Sequence, residues 1–176
     1  MLFRSPCILV GSESWHLTRQ DRTYLDGVLA RMVRKIMGLK RRPSPQGIET
    51  WLEWWRRTGR RAKQAWLDCG YALWSVVYAS RKWRWASKIS CLPENDPIKL
   101  VSLCRDTEWQ CDRSRSADLA IKRPKRGNPF RWDRVLHRFW ARRGYYWLGQ
   151  GVHRPTRELW FQLEDSFTHY LVTSGG

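Results

Sequence analysis

Apolar residues recur at spacings of three and four between Thr18 and Gly38, and this pattern constrains the fold more than any other feature of the chain. Such spacing places side chains on one face of an α-helix. Thr18 is a good N-cap with Asp21 three residues later, and Gly38 suits the position that follows a helix. We therefore predict a helix over 19–37.

The apolar stripe of this helix consists of Leu25, Val28, Leu29, Met32, Val33 and Ile36. Arg31, Arg34 and Lys35 lie off the stripe. Similar patterns predict four further helices, over 47–69, 71–91, 131–141 and 156–171. In the second helix, Glu53 and Arg57 have the spacing and polarity of a stabilising i,i+4 ion pair. The predicted fold class is mainly α, an irregular bundle of about five helices with a basic, loop-rich middle section.

These helices divide the chain into four predicted segments. An N-terminal strand or turn segment covers 1–18, and a Trp- and Arg-rich part of three helices covers 19–92. An irregular basic linker covers 93–130, within which Pro97 to Cys104 could form one short helix. A C-terminal helical pair covers 131–171.

The predicted stripes of the second and third helices contain many of the tryptophans. The stripe of the second helix is Ile48, Trp51, Leu52, Trp55, Ala62, Trp66 and Cys69. The stripe of the third helix is Leu73, Trp74, Val77, Tyr78, Trp85 and Ile89. Trp54 and Trp83 lie off these stripes, so they are candidates for stacking on unpaired bases, with ordinary packing as the alternative.

The charge of the chain favours a polyanionic partner. Lys and Arg number 33 against 16 Asp and Glu, which gives a net charge of +17. This surplus suits nucleic acid, an anionic membrane face or an acidic protein. Arg outnumbers Lys and occurs with 13 Trp, a combination that favours nucleic acid, because Arg binds phosphate with a planar fork and stacks on bases. The alternative is that the tryptophans form the core and the arginines are merely solvated.

Several classes of protein are excluded by what the sequence lacks. No apolar run approaches the ~18 residues of a membrane span, so we expect no membrane association. The five cysteines are scattered, which predicts reduced thiols in an intracellular protein. The aspartates are dispersed, and no nucleotide-binding or hydrolase motif occurs. We therefore expect no enzyme activity of the chain by itself, no metal site and no cofactor.

Basic clusters indicate where a nucleic-acid backbone would bind. The predicted contacts are Lys40, Arg41, Arg42, Arg56, Arg57, Arg60, Arg61, Lys63, Lys122, Arg123, Lys125, Arg126 and Arg131. Each phosphate contact releases counterions, so the affinity should fall steeply with salt. For each single arginine, a solvated helix face is the alternative interpretation.

Four motifs, in this order, resemble the C-terminal part of non-LTR retrotransposon reverse transcriptases. Residues Gly11 to Thr18 are similar to that family's G-[SC]-E-[TS]-W-x-L-T, and Arg31 to Gly38 resemble its R-R-M-L-R-x-I-x-G. Residues Arg81 to Ile89 are similar to R-x-[LR]-x-W-[AF]-G-H-[IV], with Ser-Lys in place of Gly-His. Residues Arg123 to Asp133 resemble the basic G-R-P-x-x-R-W-x-D element, and Trp160 matches its closing tryptophan.

The resemblance implies a role in a larger enzyme. In that family the palm, with its catalytic aspartates, lies upstream of the first motif, so we expect this chain to be a fragment that lacks the polymerase centre. The implied function is to hold RNA or DNA, with the upstream palm of the parent polyprotein as a further partner and the nucleus as the location. Two alternatives stay open: a structural module that docks on the palm or another partner, and a non-functional remnant of a decayed element.

Overall fold

The computed structural model describes residue 9 and residues 11–44, 47–118, 132–149 and 153–174. Their helices are α1 (Arg19–Ile36), α2 (Trp51–Asp68), α3 (Trp74–Cys91), α4 (Pro97–Asp118), α5 (Arg134–Ala141), α6 (Arg157–Gln162) and α7 (Glu164–Ser174). A 3₁₀ turn, Ser12–Ser14, precedes α1, and the two-residue strands β1 (Pro43–Ser44) and β2 (Gly47–Ile48) form an antiparallel pair before α2. The predicted mainly α class is confirmed, with seven α-helices in the described residues instead of about five.

Both ends of α1 follow the prediction from sequence. Thr18 Oγ1 accepts a hydrogen bond from Asp21 N at 3.2 Å, and an Asp21 carboxylate oxygen accepts one from Thr18 N at 2.8 Å. This capping box gives partners to amides that the first turn leaves free. At the other end, Gly38 has a φ of 58°, which favours Gly, and Leu39 N donates to Arg34 O at 3.3 Å.

The helix α2 begins later than the predicted residue 47. Thr50 is its N-cap, because Thr50 Oγ1 accepts a hydrogen bond from Glu53 N at 3.3 Å and the Glu53 carboxylate accepts one from Thr50 N at 3.1 Å. Gly47 and Ile48 instead form β2, which pairs with β1, and both residues are exposed. Their inclusion in the predicted helix is wrong. The capping residue therefore sets the start of α2.

The buried face of α1 differs from the predicted apolar stripe. Leu25, Leu29 and Val33 are buried, as expected, whereas Met32 and Ile36 are exposed by 48% and 78%. The remaining buried residues of α1 are Arg22, Asp26, Ala30 and Arg34. A pattern of apolar residues could not predict this face, because it also contains the polar residues Arg22, Asp26 and Arg34.

Asp26 shows why a polar residue lies on the buried face of α1. Its carboxylate accepts hydrogen bonds from Ser75 N at 3.0 Å and from Ser75 Oγ at 2.7 Å, so it caps the first turn of α3. A buried carboxylate is tolerated where such donors replace water. This contact fixes the start of α3 against α1.

The predicted irregular linker over 93–130 contains the single helix α4, Pro97–Asp118, so the possible short helix from Pro97 to Cys104 is confirmed and continues to Asp118. Asp96 begins it by accepting a hydrogen bond from Ile98 N at 2.8 Å, and Pro97 suits the first turn because its missing N–H needs no partner there. Among the described side chains of α4, the buried ones are Lys99 and Asp106. The apolar residues of α4 therefore show little helical periodicity, although Pro97–Asp118 is a continuous helix.

The predicted C-terminal helix over 156–171 is two helices. Thr156 caps α6, since its Oγ1 accepts a hydrogen bond from Leu159 N at 3.3 Å. Leu163 separates α6 from α7. The predicted helix over 131–141 corresponds to α5, which begins at Arg134.

The chain forms two compact units. Unit 1 comprises Met1–His16 and Arg81–Phe167, and unit 2 comprises Leu17–Ser80 and Thr168–Gly176. Their boundaries differ from those of the four predicted segments, and one of them falls inside α3. Unit 2 therefore contains α1, α2 and the first part of α3.

The core of unit 1 is built from aromatic rings around Trp83. This indole is 1% exposed and lies 5.2 Å from the ring of Trp140 and 4.3 Å from that of Trp160, measured between centroids. Phe139 and Phe167 complete the cluster at 5.4 Å and 4.7 Å. Trp83 Nε1 donates to Trp160 O at 2.7 Å, which satisfies the polar atom that burial would otherwise leave without a partner.

Candidate nucleic-acid interface

A groove in unit 2 brings cations of α1 and the segment after it next to an indole of α2. Its volume is about 320 Å³. The charged residues that line it are Arg31, Arg34, Lys35 and Lys40, and no acidic residue of the described chain lines it. The indole of Trp54 forms part of the same wall. We call this the basic groove.

A second groove adjoins it, because Arg31 lines both. It has a volume of about 430 Å³ and contains the aromatic side chains of Tyr24 and Trp55, together with Arg19. Tyr24 is 66% exposed and Trp55 is 43% exposed. We call this the aromatic groove. Cations and aromatic rings therefore line two adjoining grooves of unit 2, and among the described residues no carboxylate lines either one.

Trp54 and Trp55 occupy these positions because they lie in the first turns of α2. Trp54 Nε1 donates to Leu39 O at 3.3 Å, which ties the chain after α1 to this end of α2. Trp51 and Trp55 stack with ring centroids 6.3 Å apart and ring planes only 15° from parallel. Trp51 is 57% exposed, so this pair presents flat aromatic surface to solvent.

The predicted apolar stripe of α2 is wrong for its first half. Trp51, Leu52 and Trp55 are exposed by 57%, 50% and 43%, and the buried residues of α2 are Thr58 and Ala62. The indoles that a stripe assigns to the core therefore lie at the surface. Trp54, predicted to stack on bases, is partly buried and lines the basic groove, and its stacking role stays a prediction.

Trp83 is the clearest correction among the predicted site residues. Its 1% exposure and its place in the aromatic core of unit 1 leave no ring face for a base. Trp85, predicted to face the core, is 37% exposed instead. The two indoles are thus exchanged relative to the prediction, because the buried face of α3 runs through Ala79, Lys82 and Ala86.

Most of the predicted backbone contacts on described residues are accessible. Lys40, Arg41 and Arg42 are exposed, and of the α2 cations Arg56, Arg60 and Arg61 are exposed while Lys63 is half-buried. Lys40 alone among them lines the basic groove. The predictions for Lys122, Arg123, Lys125, Arg126 and Arg131 lie outside the described residues.

Arg57 is bound within the protein, so it is a poor phosphate ligand. It forms two hydrogen bonds with the Glu49 carboxylate, from Nε at 2.8 Å and from Nη2 at 2.6 Å, and Nη2 also donates to Lys40 O at 3.3 Å. This pairing holds the pKa of Glu49 down, from 4.5 to about 2. The predicted Glu53–Arg57 pair is wrong, because Glu53 caps α2 with Thr50.

Arg34 is a functional candidate that the sequence prediction missed. It was assigned to the side of α1 off the apolar stripe, but it is only 7% exposed and lines the basic groove. Its guanidinium carbon lies 5.3 Å from the Trp54 ring and 5.7 Å from the Trp55 ring. Burial, and then the charge of Arg31, lower the pKa of Arg34. The sequence signal for a buried cation is the pair of adjacent indoles, Trp54 and Trp55, followed by Thr58.

The comparisons with known proteins give no match: no family model, no curated protein and no solved structure resembles the chain significantly. In the described part of the chain, no helix is long and apolar enough to cross a membrane. The same residues hold no cluster of three or more His, Cys, Asp or Glu side chains suited to a metal ion. The grooves of unit 2 are therefore the candidate interface.

Proposed function

We propose that this chain is a nucleic-acid-binding segment of a non-LTR retrotransposon reverse transcriptase, with no catalytic step of its own. It holds the backbone of RNA or DNA while the palm of the parent polyprotein forms bonds, and it works where that polyprotein works, in the nucleus. The observation that carries the binding proposal is the basic groove, which the described residues line with four cations, an indole and no carboxylate. The link to this family rests on the four sequence motifs.

The mechanism begins with neutralisation of phosphates. Arg31, Lys35 and Lys40 line the basic groove, and Arg31 extends the positive surface into the aromatic groove. Cations in a concave surface focus the field and concentrate a polyanion there. Release of the counterions that accompany the strand then contributes a favourable free energy that decreases with salt.

The exposed rings add an attraction that the cations lack. Stacking of a base on an aromatic side chain contributes about 1–3 kcal/mol and tolerates any sequence. Trp55 and Tyr24 offer accessible ring surface beside Arg31, so a strand whose phosphates follow the cations can place unpaired bases on these rings. Binding should therefore depend on sequence only weakly.

The experiment that tests this proposal measures how affinity depends on salt. We expect the full chain to bind single-stranded RNA or DNA, followed by fluorescence anisotropy, with an affinity that falls steeply from about 50 to 200 mM salt. Substitution of Arg31, Lys35 and Lys40 together by Gln should reduce the salt slope by about 2, since each lost contact to a single strand removes about 0.7. The loss should be equal for different sequences.

A charge-matched control separates the groove from the net charge. Lys88, Arg138 and Arg157 are exposed residues of unit 1, and their joint change to Gln removes the same charge. Equal losses in the two triple variants, or a wild-type chain that does not bind at low salt, would contradict the proposal. The triple change of Arg56, Arg60 and Arg61 to Gln tests the contacts predicted on α2 in the same way.

A second candidate function is docking on a partner protein. Ile48 is 73% exposed beside Trp51 and Leu52, so the start of α2 presents apolar surface that a palm domain or another partner could cover. This function predicts that the isolated chain aggregates and that fusion to its upstream region restores solubility. Variants of the basic groove would then leave solubility unchanged.

A further inference from the structure

Arg34 carries a positive charge in a buried position. It is 7% exposed, and no carboxylate of the described residues forms an ion pair with it. Its contacts are the two indole rings and two hydrogen bonds from Nη1, to Trp55 O at 3.4 Å and to Thr58 Oγ1 at 3.5 Å. Both hydrogen bonds are long, so they compensate little of the lost hydration.

The remaining N–H groups of Arg34 have no acceptor in the part of the chain that the structure describes. A guanidinium has five N–H donors, and those on Nε and Nη2 have no acceptor among the described residues. Arg22, on the same helix, provides a contrast: its Nε and Nη2 are fully enclosed without a partner, and it lines neither groove. Arg34 lines the basic groove, so its small accessible surface opens there.

The cations around Arg34 make the binding of an anion in the basic groove favourable. Arg31, Lys35 and Lys40 line the same groove, and like charges close together are unfavourable unless a negative group lies between them. The indoles of Trp54 and Trp55 stabilise the guanidinium by cation–π contacts, but they do not neutralise it. The site is therefore built around a planar donor fork next to two indole rings.

We propose that Arg34 binds a phosphodiester group of the nucleic-acid strand, with Nε–H and Nη2–H each donating to one of its two non-bridging oxygens. This inference rests on the proposed function and names the residue that orients the strand in the basic groove. A guanidinium fork matches two oxygens of one phosphate, whereas an ammonium acts as a point charge. The surrounding lysines and Arg31 then bind neighbouring phosphates less specifically.

The direct test observes the Arg34 side chain of the full chain by ¹⁵N NMR during titration with the dinucleotide TpT. We expect the Arg34 Nε–H resonance to shift on addition of TpT and to stay unchanged with the methylphosphonate analogue, which has the same bases but no charge. No shift with TpT overturns the inference. If inorganic phosphate shifts the resonance and TpT does not, the inference is overturned and the site binds a free anion.

Variants test the same contact in a longer strand. Arg34→Gln should weaken binding of short oligothymidylate about 10- to 100-fold, the range for one charge-assisted hydrogen-bonded contact, and should lower the salt slope by about 0.7. Arg34→Lys keeps the charge, so it should keep the slope and lose several-fold in affinity. Arg22→Gln is the matched control for removal of a buried arginine from α1.

The outcomes separate this inference from the function on which it rests. Wild-type binding with a steep salt slope, combined with an unchanged slope in Arg34→Gln, overturns the role of Arg34 alone. Absence of wild-type binding overturns both. Equal losses in Arg34→Gln and Arg22→Gln overturn the inference, because they assign the effect to the fold. If Arg34→Gln does not fold, the TpT titration of the wild-type chain decides.

Discussion

Two sets of tryptophans, one in each unit, have opposite environments. In unit 1, Trp83, Trp140 and Trp160 are at most 1% exposed and pack against one another. In unit 2, Trp51 and Trp55 are 57% and 43% exposed, and the Trp55 ring centroid lies 5.7 Å from the guanidinium carbon of Arg34. The same residue type thus builds a core in one place and an exposed surface in another, so an abundance of Trp alone indicates neither packing nor binding.

The cations show the same contrast. In unit 1, Lys82 is 1% exposed, and its Nζ donates to Trp15 O at 2.7 Å and to Trp132 O at 2.6 Å. Lys99 likewise donates to Leu92 O at 3.1 Å. These two lysines therefore stabilise the folded chain by donating hydrogen bonds to backbone carbonyls. In unit 2, Arg31, Lys35 and Lys40 are exposed and line the basic groove, and no carboxylate of the described residues lies in its wall.

The largest effect expected from this comparison is on stability in unit 1. Trp83→Ala removes the central ring of the aromatic core and should lower the free energy of unfolding by about 3–5 kcal/mol, as for other large core truncations. Urea unfolding measures the change. Trp85→Ala, two residues along α3 but 37% exposed, is the control and should cost about 1 kcal/mol or less. Equal losses would contradict the assignment of Trp83 to the core.

A smaller effect, on binding, is expected in unit 2. Trp55→Ala should change the free energy of unfolding by about 1 kcal/mol or less, but it should weaken single-strand binding by about 1–3 kcal/mol because one stacked base is lost. Anisotropy with oligothymidylate measures this. Trp85→Ala again serves as the control, since it removes an exposed indole from unit 1. If the two variants bind alike, the aromatic groove does not contact bases.

The smallest effect is expected for the ion pair between Glu49 and Arg57, which makes Arg57 a poor ligand for a phosphate. Because Arg57 lowers the pKa of Glu49 to about 2 from 4.5, the pair stabilises the folded state at pH values above 4.5. This contribution disappears as the pH falls through about 2. Glu49→Gln should therefore flatten the acid side of the stability profile, measured as urea midpoints between these pH values. An unchanged profile would show that Arg57 is free, and it would then return to the set of phosphate ligands.

Part of this fold could be predicted from local signals in the sequence. Thr18 with Asp21 starts α1 and Gly38 follows its end, because caps depend on residues that are neighbours in the chain. Mainly helical structure followed from apolar spacing in the same way. The exposed cations at Lys40 to Arg42 were also predictable, since a Pro-broken basic segment has little to bury.

Other features depend on what packs against each helix, and the sequence does not contain that directly. Trp83 and Trp85 are two residues apart with similar neighbours, and only the rings of α5 to α7 decide which one is buried. Arg34 is buried because Trp54 and Trp55 cover it. The full length of α4 was not predicted, because the buried ones among its described side chains, Lys99 and Asp106, are polar.

The most direct test of the central claim follows both classes of tryptophan at once. In the full chain labelled with 5-fluorotryptophan, ¹⁹F NMR can be recorded during titration with oligouridylate, with resonances assigned by single Trp→Phe variants. We predict that the resonances of Trp54 and Trp55 shift at low salt and return on addition of salt, while those of Trp83, Trp140 and Trp160 do not move. Shifts confined to the tryptophans of unit 1, or shifts that persist at high salt, would contradict the account.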